Sequence, residues 1–123
     1  MPRKILIVDD EPHIGLLLNS RLRANGYNVL IAYDAIQGFR LAVTEVPDLI
    51  LLDIRMPAGG GAGVFENLQN NLKTALIPVI FMTAHPNADI EKACLDSGAA
   101  DFIPKPFDPE EVLQKIKKAL GET

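Results

Sequence analysis

Cysteine is almost absent from the sequence, which contains only Cys94 among its 123 residues. One cysteine cannot form an internal disulfide, and it cannot build a thiolate metal cage. This usage fits a reducing compartment, where we expect Cys94 to be a small packed core residue. Disulfide-stapled folds and cysteine-ligated metal sites are therefore excluded.

Long apolar runs and an excess of basic residues are also lacking. The longest runs, over 49–52 and 77–82, are far too short to span a bilayer, and the first four residues do not resemble a signal peptide. The chain carries 12 Lys and Arg against 16 Asp and Glu, a net charge of −4, which argues against a basic nucleic-acid surface. We expect a cytoplasmic domain that contacts no membrane and does not itself bind nucleic acid.

Short apolar runs alternate with longer amphipathic stretches along the chain. The former predict strands over 5–8, 28–32, 48–53, 78–82 and 101–103, and the latter predict helices over 12–25, 35–45, 62–72, 88–97 and from 109 onward. The expected apolar face of the first helix comprises Ile14, Leu17, Leu18 and Leu22. Asp34 and Asp108 are the expected N-caps of the second and last helices, with Glu111 completing a capping box.

The alternation of five strands with five helices predicts the fold class. Strands that are apolar throughout are covered on both faces, which is typical of a parallel sheet between two layers of helices. The pattern therefore predicts an α/β fold, and we expect one domain over residues 1–123.

Polar side chains follow four of the predicted strands, at the edge where such sheets bind ligands. Asp9 and Asp10 follow the first strand, Asp53 ends the third, Thr83 follows the fourth and Lys105 follows the fifth. Taken singly, each is commonly a helix cap, a turn residue or a solvated lysine. Their joint placement at one edge favours a functional site.

The acidic cluster predicts a metal. Two like charges about 4 Å apart repel by roughly 4 kcal/mol at an effective dielectric near 20, so three clustered aspartates need a cation. Carboxylate oxygens select Mg²⁺, with Mn²⁺ as the alternative. Such a site suits phosphoryl groups, and a carboxylate beside the metal can carry the phosphoryl covalently.

Four segments resemble the receiver domains of two-component response regulators. They are residues 4–11 with the acidic pair, 51–57 around Asp53, 79–84 ending in a Thr-Ala pair, and 99–107 with Lys105 before a proline. The resemblance implies a flavodoxin-like three-layer sandwich with strand order 2-1-3-4-5. It also implies a cis bond before Pro106.

The resemblance further implies roles for individual residues. Asp53 would accept a phosphoryl group from a sensor histidine kinase or a histidine phosphotransfer protein. Asp10 would bind Mg²⁺ directly, Asp9 through water, and the Arg55 carbonyl would be a further ligand. Lys105 would pair with a phosphoryl oxygen.

The family also implies a switch. Thr83 would hydrogen-bond the phosphoryl group, and Phe102 would change rotamer with it, altering a surface formed by the fourth helix, fifth strand and fifth helix. That surface would control an output domain or protein, or a phosphorylation-dependent homodimer. The chain would be a signalling switch and not an enzyme, since it catalyses only its own phosphoryl chemistry.

Two other classes are less consistent with the sequence. A Mg²⁺ phosphohydrolase usually carries a second aspartate two residues after its nucleophile, where this chain has Arg55, and 123 residues leave no room for a cap domain. A flavin or nucleotide module needs a glycine- or hydroxyl-rich loop after the first strand, whereas this loop is acidic.

Two features depart from the family pattern. The loop over 58–63 is rich in glycine, so we expect it to be mobile. Arg55 and His85 flank the phosphoryl site, and we expect them to tune phosphoryl lifetime. His13 is expected to be an exposed surface residue.

Overall fold

The computed structural model describes residues 2–55 and 60–122. Its elements, in chain order, are β1 (Lys4–Val8), α1 (Pro12–Ala24), β2 (Asn28–Ala32), α2 (Ala35–Glu45), β3 (Leu49–Asp53), α3 (Gly60–Gln69), β4 (Val79–Thr83), α4 (Ala88–Asp96), β5 (Asp101–Pro104) and α5 (Pro109–Ala119). The predicted alternation of strands and helices is confirmed.

The five strands form one parallel sheet in the order β2-β1-β3-β4-β5. This is the order that the family resemblance implied, and the fold is flavodoxin-like. Val8 pairs with Leu52, and Asp53 pairs with Met82, so β1, β3 and β4 end at nearly the same level. The register therefore places the residues that follow β1 and β3 next to one another.

Alternate strand residues build two separate apolar layers. Ile5 and Ile7 face the side covered by α1 and α5, with Leu18 and Ile116, while Leu6 and Val8 belong to the opposite layer. Every residue of β3 and β4 is buried. Each large apolar side chain contributes about 1.5–3 kcal/mol when fully buried, so these layers hold the sheet edge rigid.

Most helix ends follow the sequence prediction. Gln37 N donates to Asp34 Oδ1 at 2.7 Å, and Glu110 N donates to Asp108 Oδ1 at 2.9 Å, so both predicted caps are confirmed. The predicted capping box is wrong, because Asp108 caps the second helical amide and the Glu111 side chain makes no return bond among the described residues. The peptide bond before Pro106 is cis.

The third helix differs from its prediction over 62–72 at both ends. It begins at Gly60, because Gly61 N donates to Ile54 O at 2.8 Å and docks the first turn on the end of β3. It ends at Gln69, since the buried Thr74 hydroxyl donates to Leu68 O at 2.7 Å and turns the chain back. Residues 60–63 are thus helical and not the expected loop, and residues 58 and 59 lie outside the described residues.

The predicted apolar face of α1 is correct except at Leu17. Ile14, Leu18 and Leu22 are buried, whereas Leu17 remains 46% exposed. Leu17 lies on the flank of the helix, where it borders a groove towards the start of α5. Cys94 is buried and free, as expected.

None of the helices in residues 2–55 and 60–122 combines the length and apolar character that crossing a bilayer requires.

Candidate functional site

Three aspartates meet where the neighbouring strands β1 and β3 end. One carboxylate oxygen from each of Asp9, Asp10 and Asp53 lies within 4.8 Å of the other two. Asp9 and Asp53 are only 1% and 4% exposed, and Asp10 is open to solvent. The predicted acidic cluster is therefore present, with two buried members and one at its mouth.

Backbone amides fix the two buried carboxylates. Glu11 N donates to Asp9 Oδ1 at 2.9 Å, and Arg55 N donates to Asp53 Oδ1 at 3.1 Å. In both residues this leaves Oδ2 directed at the shared site. Each bond spans two residues, a turn that follows directly from placing an aspartate at the end of a strand.

Lys105 follows β5, on the other half of the sheet, and its ammonium supplies a positive charge beside these carboxylates. Its backbone N donates to Thr83 O at 2.7 Å, and its side chain is only 7% exposed. Its Nζ lies 2.7 Å from Asp9 Oδ2, 2.9 Å from Glu11 Oε1 and 3.4 Å from Asp53 Oδ2. The contact with Asp9 is an ion pair that is poorly aligned for a hydrogen bond, whereas those with Glu11 and Asp53 are hydrogen bonds.

Burial and neighbouring charges shift the pKa values of Asp53 and Lys105. Burial and the nearby charge of Asp9 raise the pKa of Asp53 to about 6, although Lys105 and the Arg55 amide partly offset them. Burial by itself lowers the pKa of Lys105, but the carboxylates around it outweigh this effect and raise the pKa above its ordinary value. Lys105 is thus firmly charged, while Asp53 is less acidic than a free aspartate.

The donor atoms suit a hard divalent cation. The potential metal ligands among the described residues are the carboxylate oxygens of the three aspartates. One of these oxygens, Asp9 Oδ2, is buried and accepts no well-aligned hydrogen bond from a described residue. The Lys105 ammonium, 2.7 Å from this oxygen, supplies one positive charge, which does not balance three clustered aspartates. Mg²⁺, which prefers oxygen ligands and tolerates several waters, fits a cluster that is closed by Asp9 and Asp53 and open at Asp10.

A cleft of about 250 Å³ opens above the cluster. Its lining consists of Asp10, Glu11, Asp53, Arg55, Ala84, His85 and Lys105. Arg55 and His85 therefore line the same cleft as Asp53. Their effect on phosphoryl lifetime stays a prediction.

The two predicted switch residues lie below the cleft. Thr83 is fully buried, and its Oγ1 accepts a hydrogen bond from His85 N at 3.1 Å. Phe102 is 4% exposed and packs in the apolar layer that contains Phe81 and Cys94. His13 is exposed, as expected, with 71% of its side chain accessible.

Sequence reasoning missed two residues of the site. Glu11 was read only as part of an acidic run, yet its carboxylate reaches Lys105 across the sheet edge. Gly61 was read as part of a loop, yet a Cβ there would lie 2.1 Å from Asp53 O. The third consecutive acid was the available signal for Glu11. For Gly61, only the glycine run itself marked the position.

The chain is similar in sequence to known proteins. The family model for the response regulator receiver domain matches residues 5–117. The DNA-binding dual master transcriptional regulator RpaA of a Synechocystis species is 43% identical over 123 residues, 100% of this chain and 51% of that protein. The alkaline phosphatase synthesis transcriptional regulatory protein PhoP of Bacillus subtilis is 38% identical over 98% of this chain and 49% of its own length. The chain thus spans about half the length of these curated relatives.

Solved structures agree with the sequence relatives. A CheY-like response regulator receiver domain protein from Methanospirillum hungatei superposes with a TM-score of 0.90 at 31% identity, covering 99% of this chain and 96% of that one. The chemotaxis protein CheY4 of Vibrio cholerae gives a TM-score of 0.91 at 25% identity, covering 98% and 100%.

The sheet order and the acidic edge place the chain in the flavodoxin-like class with a CheY-type fold. Within that class it belongs to the response regulator receiver domain family, and it is a receiver domain of a two-component system.

Proposed function

We propose that Asp53 is the phosphoacceptor of this receiver domain. The donor is a phosphohistidine of a sensor kinase or of a histidine phosphotransfer protein. One observation carries the proposal: Asp53 Oδ2 faces a cleft beside Asp9, Asp10 and the Lys105 ammonium, while Oδ1 is held by a backbone amide. A nucleophile fixed in this way needs little reorganisation before attack.

The chemistry is a single phosphoryl transfer. Asp53 Oδ2 attacks phosphorus in line, the P–O bond forms, the P–N bond to the donor imidazole breaks, and the imidazole keeps the electron pair. Lys105 lies where it can pair with a phosphoryl oxygen. The buried neighbours of Asp53 exclude water from one side of the product.

The proposed metal is Mg²⁺, or Mn²⁺ in its place. Asp10 and Asp53 would hold it directly, Asp9 through water, and the Arg55 carbonyl would complete the protein ligands. When bound, the ion would neutralise the clustered carboxylates and the transferring oxygens. It would also favour ionised Asp53, whose pKa is otherwise raised by burial and by Asp9.

The proposed output is a change at the surface formed by α4, β5 and α5. Phosphorylation adds charge and strong acceptors at Asp53, and the buried Thr83 hydroxyl is the nearest switchable donor on β4. A shift of Thr83 would open space for Phe102, whose ring borders a groove with Pro104 and Lys115 on the output side. A coupling of about 1–3 kcal/mol is typical of such switches.

The output partner follows from the relatives. RpaA and PhoP are transcriptional regulators about twice as long as this chain. We therefore propose that the surface acts on an output domain or protein that controls transcription, either directly or through a phosphorylation-dependent homodimer. The nucleic acid would be bound by that output part. A cytoplasmic location stays a prediction.

Intact-mass spectrometry after incubation with acetyl phosphate and Mg²⁺ tests the phosphoacceptor. We expect one phosphoryl adduct that hydroxylamine removes, no adduct with Asp53→Asn, and a normal adduct with Asp96→Asn, an exposed aspartate at the end of α4. A normal adduct on the Asp53 variant would assign the wrong acceptor. Steady phosphate release without an adduct would instead indicate a phosphohydrolase.

A further inference from the structure

The Lys105 ammonium already contacts three carboxylates before any phosphoryl group arrives. Lysine has three N–H donors, and three carboxylates, from Asp9, Glu11 and Asp53, surround Nζ. The two nearest belong to the end of β1, at 2.7 and 2.9 Å, and the phosphoacceptor is the most distant, at 3.4 Å. A phosphoryl group transferred to Asp53 Oδ2 takes the place of the most distant of these partners, and it competes with the other two for the same ammonium.

Glu11 is the partner that can leave at least cost. Asp9 is 1% exposed, so water cannot replace the direct contact of its carboxylate with Lys105 if the ammonium moves away. The Glu11 side chain is 44% exposed, and water can solvate its carboxylate once the ion pair opens. Glu11 Oε2 also lies 3.6 Å from His13 Nε2, which offers an alternative neighbour on the surface.

The Glu11 side chain is not needed for local structure. Glu11 occupies the N-cap position of α1 but makes no side-chain capping bond, and only its backbone is used at the start of the helix. Its carboxylate instead reaches Lys105, 94 positions further along the chain.

We infer that Glu11 is a positioning residue that holds Lys105 towards β1 in the unphosphorylated domain and competes with the phosphoryl group for it once Asp53 is phosphorylated. This inference rests on the proposed function, since it assumes a phosphoryl group on Asp53. Glu11 thereby stabilises the resting state and lowers the affinity of the site for a phosphoryl group.

The test compares four proteins: wild type, Glu11→Gln, Glu11→Asp and Glu66→Gln. The glutamine variant removes the charge, whereas the aspartate variant keeps it but shortens the side chain by one methylene, about 1.5 Å, so that the contact is lost. Glu66 is an exposed glutamate on α3 and controls for the change in net charge. Together they separate the contact with Lys105 from a diffuse effect of charge.

The first readout needs neither metal nor phosphoryl group. Reductive methylation followed by peptide mass spectrometry measures the reactivity of Lys105, with Lys115, which pairs with Asp101, as an internal reference. We expect Lys105 to react about two- to fivefold faster in both Glu11 variants, the range for a half-exposed ion pair, and at the wild-type rate in Glu66→Gln. Unchanged Lys105 reactivity in both Glu11 variants would overturn the inference.

The second readout is the affinity for fluoroberyllate, a tetrahedral phosphoryl mimic, measured by calorimetry with Mg²⁺ present. We expect about two- to fivefold tighter binding in both Glu11 variants and no change in Glu66→Gln. Tighter binding in Glu11→Gln alone would show that charge acts without the contact, and would overturn the inference. If wild type showed no Asp53-dependent binding, the proposed function would fail, and the methylation rates would still decide whether Glu11 holds Lys105.

Discussion

Replacing Gly61 by alanine should damage the proposed phosphoacceptor site without changing any of its charged groups. An added Cβ would lie 2.1 Å from Asp53 O, 2.8 Å from Asp53 C and 2.9 Å from Ile54 Cα. All three are backbone atoms, so no side chain can rotate to make room. The contact must open by more than 1 Å to reach an ordinary separation of 3.4 Å.

The sheet is the firmer of the two partners in this contact. Ile54 N donates to Met82 O at 2.9 Å and ties the end of β3 to β4, whereas α3 is docked there by the bond from Gly61 N to Ile54 O. We therefore expect α3 to be pushed outwards and the Asp53–Arg55 turn to loosen. Forced overpacking of this kind costs about 1–3 kcal/mol, and a misplacement near 1 Å slows a positioned reaction about a hundredfold.

The matched control is Gly63→Ala, two residues further along the same helix. An added Cβ at Gly63 meets nothing within 4 Å in the described part of the chain, and its backbone carries no positive φ. Alanine there should raise the free energy of unfolding by about 0.5–1 kcal/mol, because glycine is the poorer helix former. It should leave the phosphorylation rate unchanged.

Two assays separate the variants. Denaturant unfolding followed by circular dichroism gives the free energy of unfolding, and intact mass with acetyl phosphate gives the initial phosphorylation rate. We expect Gly61→Ala to unfold at lower denaturant and to react at least tenfold more slowly than Gly63→Ala. A Gly61 variant with wild-type stability and rate would refute the reasoning, as would equal damage from both substitutions.

Three further outcomes are expected. Changing Arg55 and His85 together to alanine should alter the dephosphorylation rate several-fold, because both line the cleft beside Asp53; an unchanged phosphoryl half-life by mass spectrometry would contradict this. Burial and a 2.7 Å hydrogen bond to Glu122 raise the pKa of Tyr27 from 10.0 to about 12, so folded-state stability should fall more steeply between pH 10 and 12 in wild type than in Tyr27→Phe, as pH-dependent unfolding would measure. Burial raises the pKa of the Cys94 thiol, so a disulfide reagent should label it only after denaturation; labelling of the folded domain within the mixing time would show that α4 opens easily.

The sheet was predictable because its strands carry the strongest local signal. Continuous apolar runs such as that of β3 have no polar face and must lie inside a layered fold, which also fixes where the strands end. Once those ends were known, the positions of Asp9, Asp53 and Lys105 at one edge followed from topology. For these three residues, the sequence pattern was therefore sufficient to predict that they lie together at one edge of the sheet.

The start of α3 was not predictable in the same way. A run of glycines indicates a loop, because glycine is the poorest helix former after proline. The structure places Gly60 and Gly61 in the first helical turn because only glycine allows α3 to approach the Asp53 backbone so closely. Here a tertiary contact overrides local propensity, and propensity alone cannot reveal it.

Glu11 shows a second limit, which concerns long side chains. The position of a residue in the chain predicts where its backbone lies in the sheet. A glutamate carboxylate, however, lies several ångströms from the backbone, and its direction depends on the side-chain rotamer. The sequence showed Glu11 only as part of an acidic run before α1, whereas its pairing with Lys105 depends on a residue 94 positions away. Which carboxylate pairs with the flexible Lys105 side chain depends on three-dimensional distances, and no periodic sequence pattern encodes these.

The strand order explains why control of the site would depend on the Lys105 ammonium. β1 and β3 are neighbours and hold the carboxylates, whereas Lys105 is tied by its backbone to β4, two strand spacings or about 10 Å from β1. Only a long side chain can cross that gap, and it arrives with one charge for several acceptors. A phosphoryl group on Asp53 would therefore compete with the carboxylates of Asp9 and Glu11 for Lys105. Since Asp9 is too deeply buried to give up the ammonium, the balance would be set by Glu11, the one of the three with access to water.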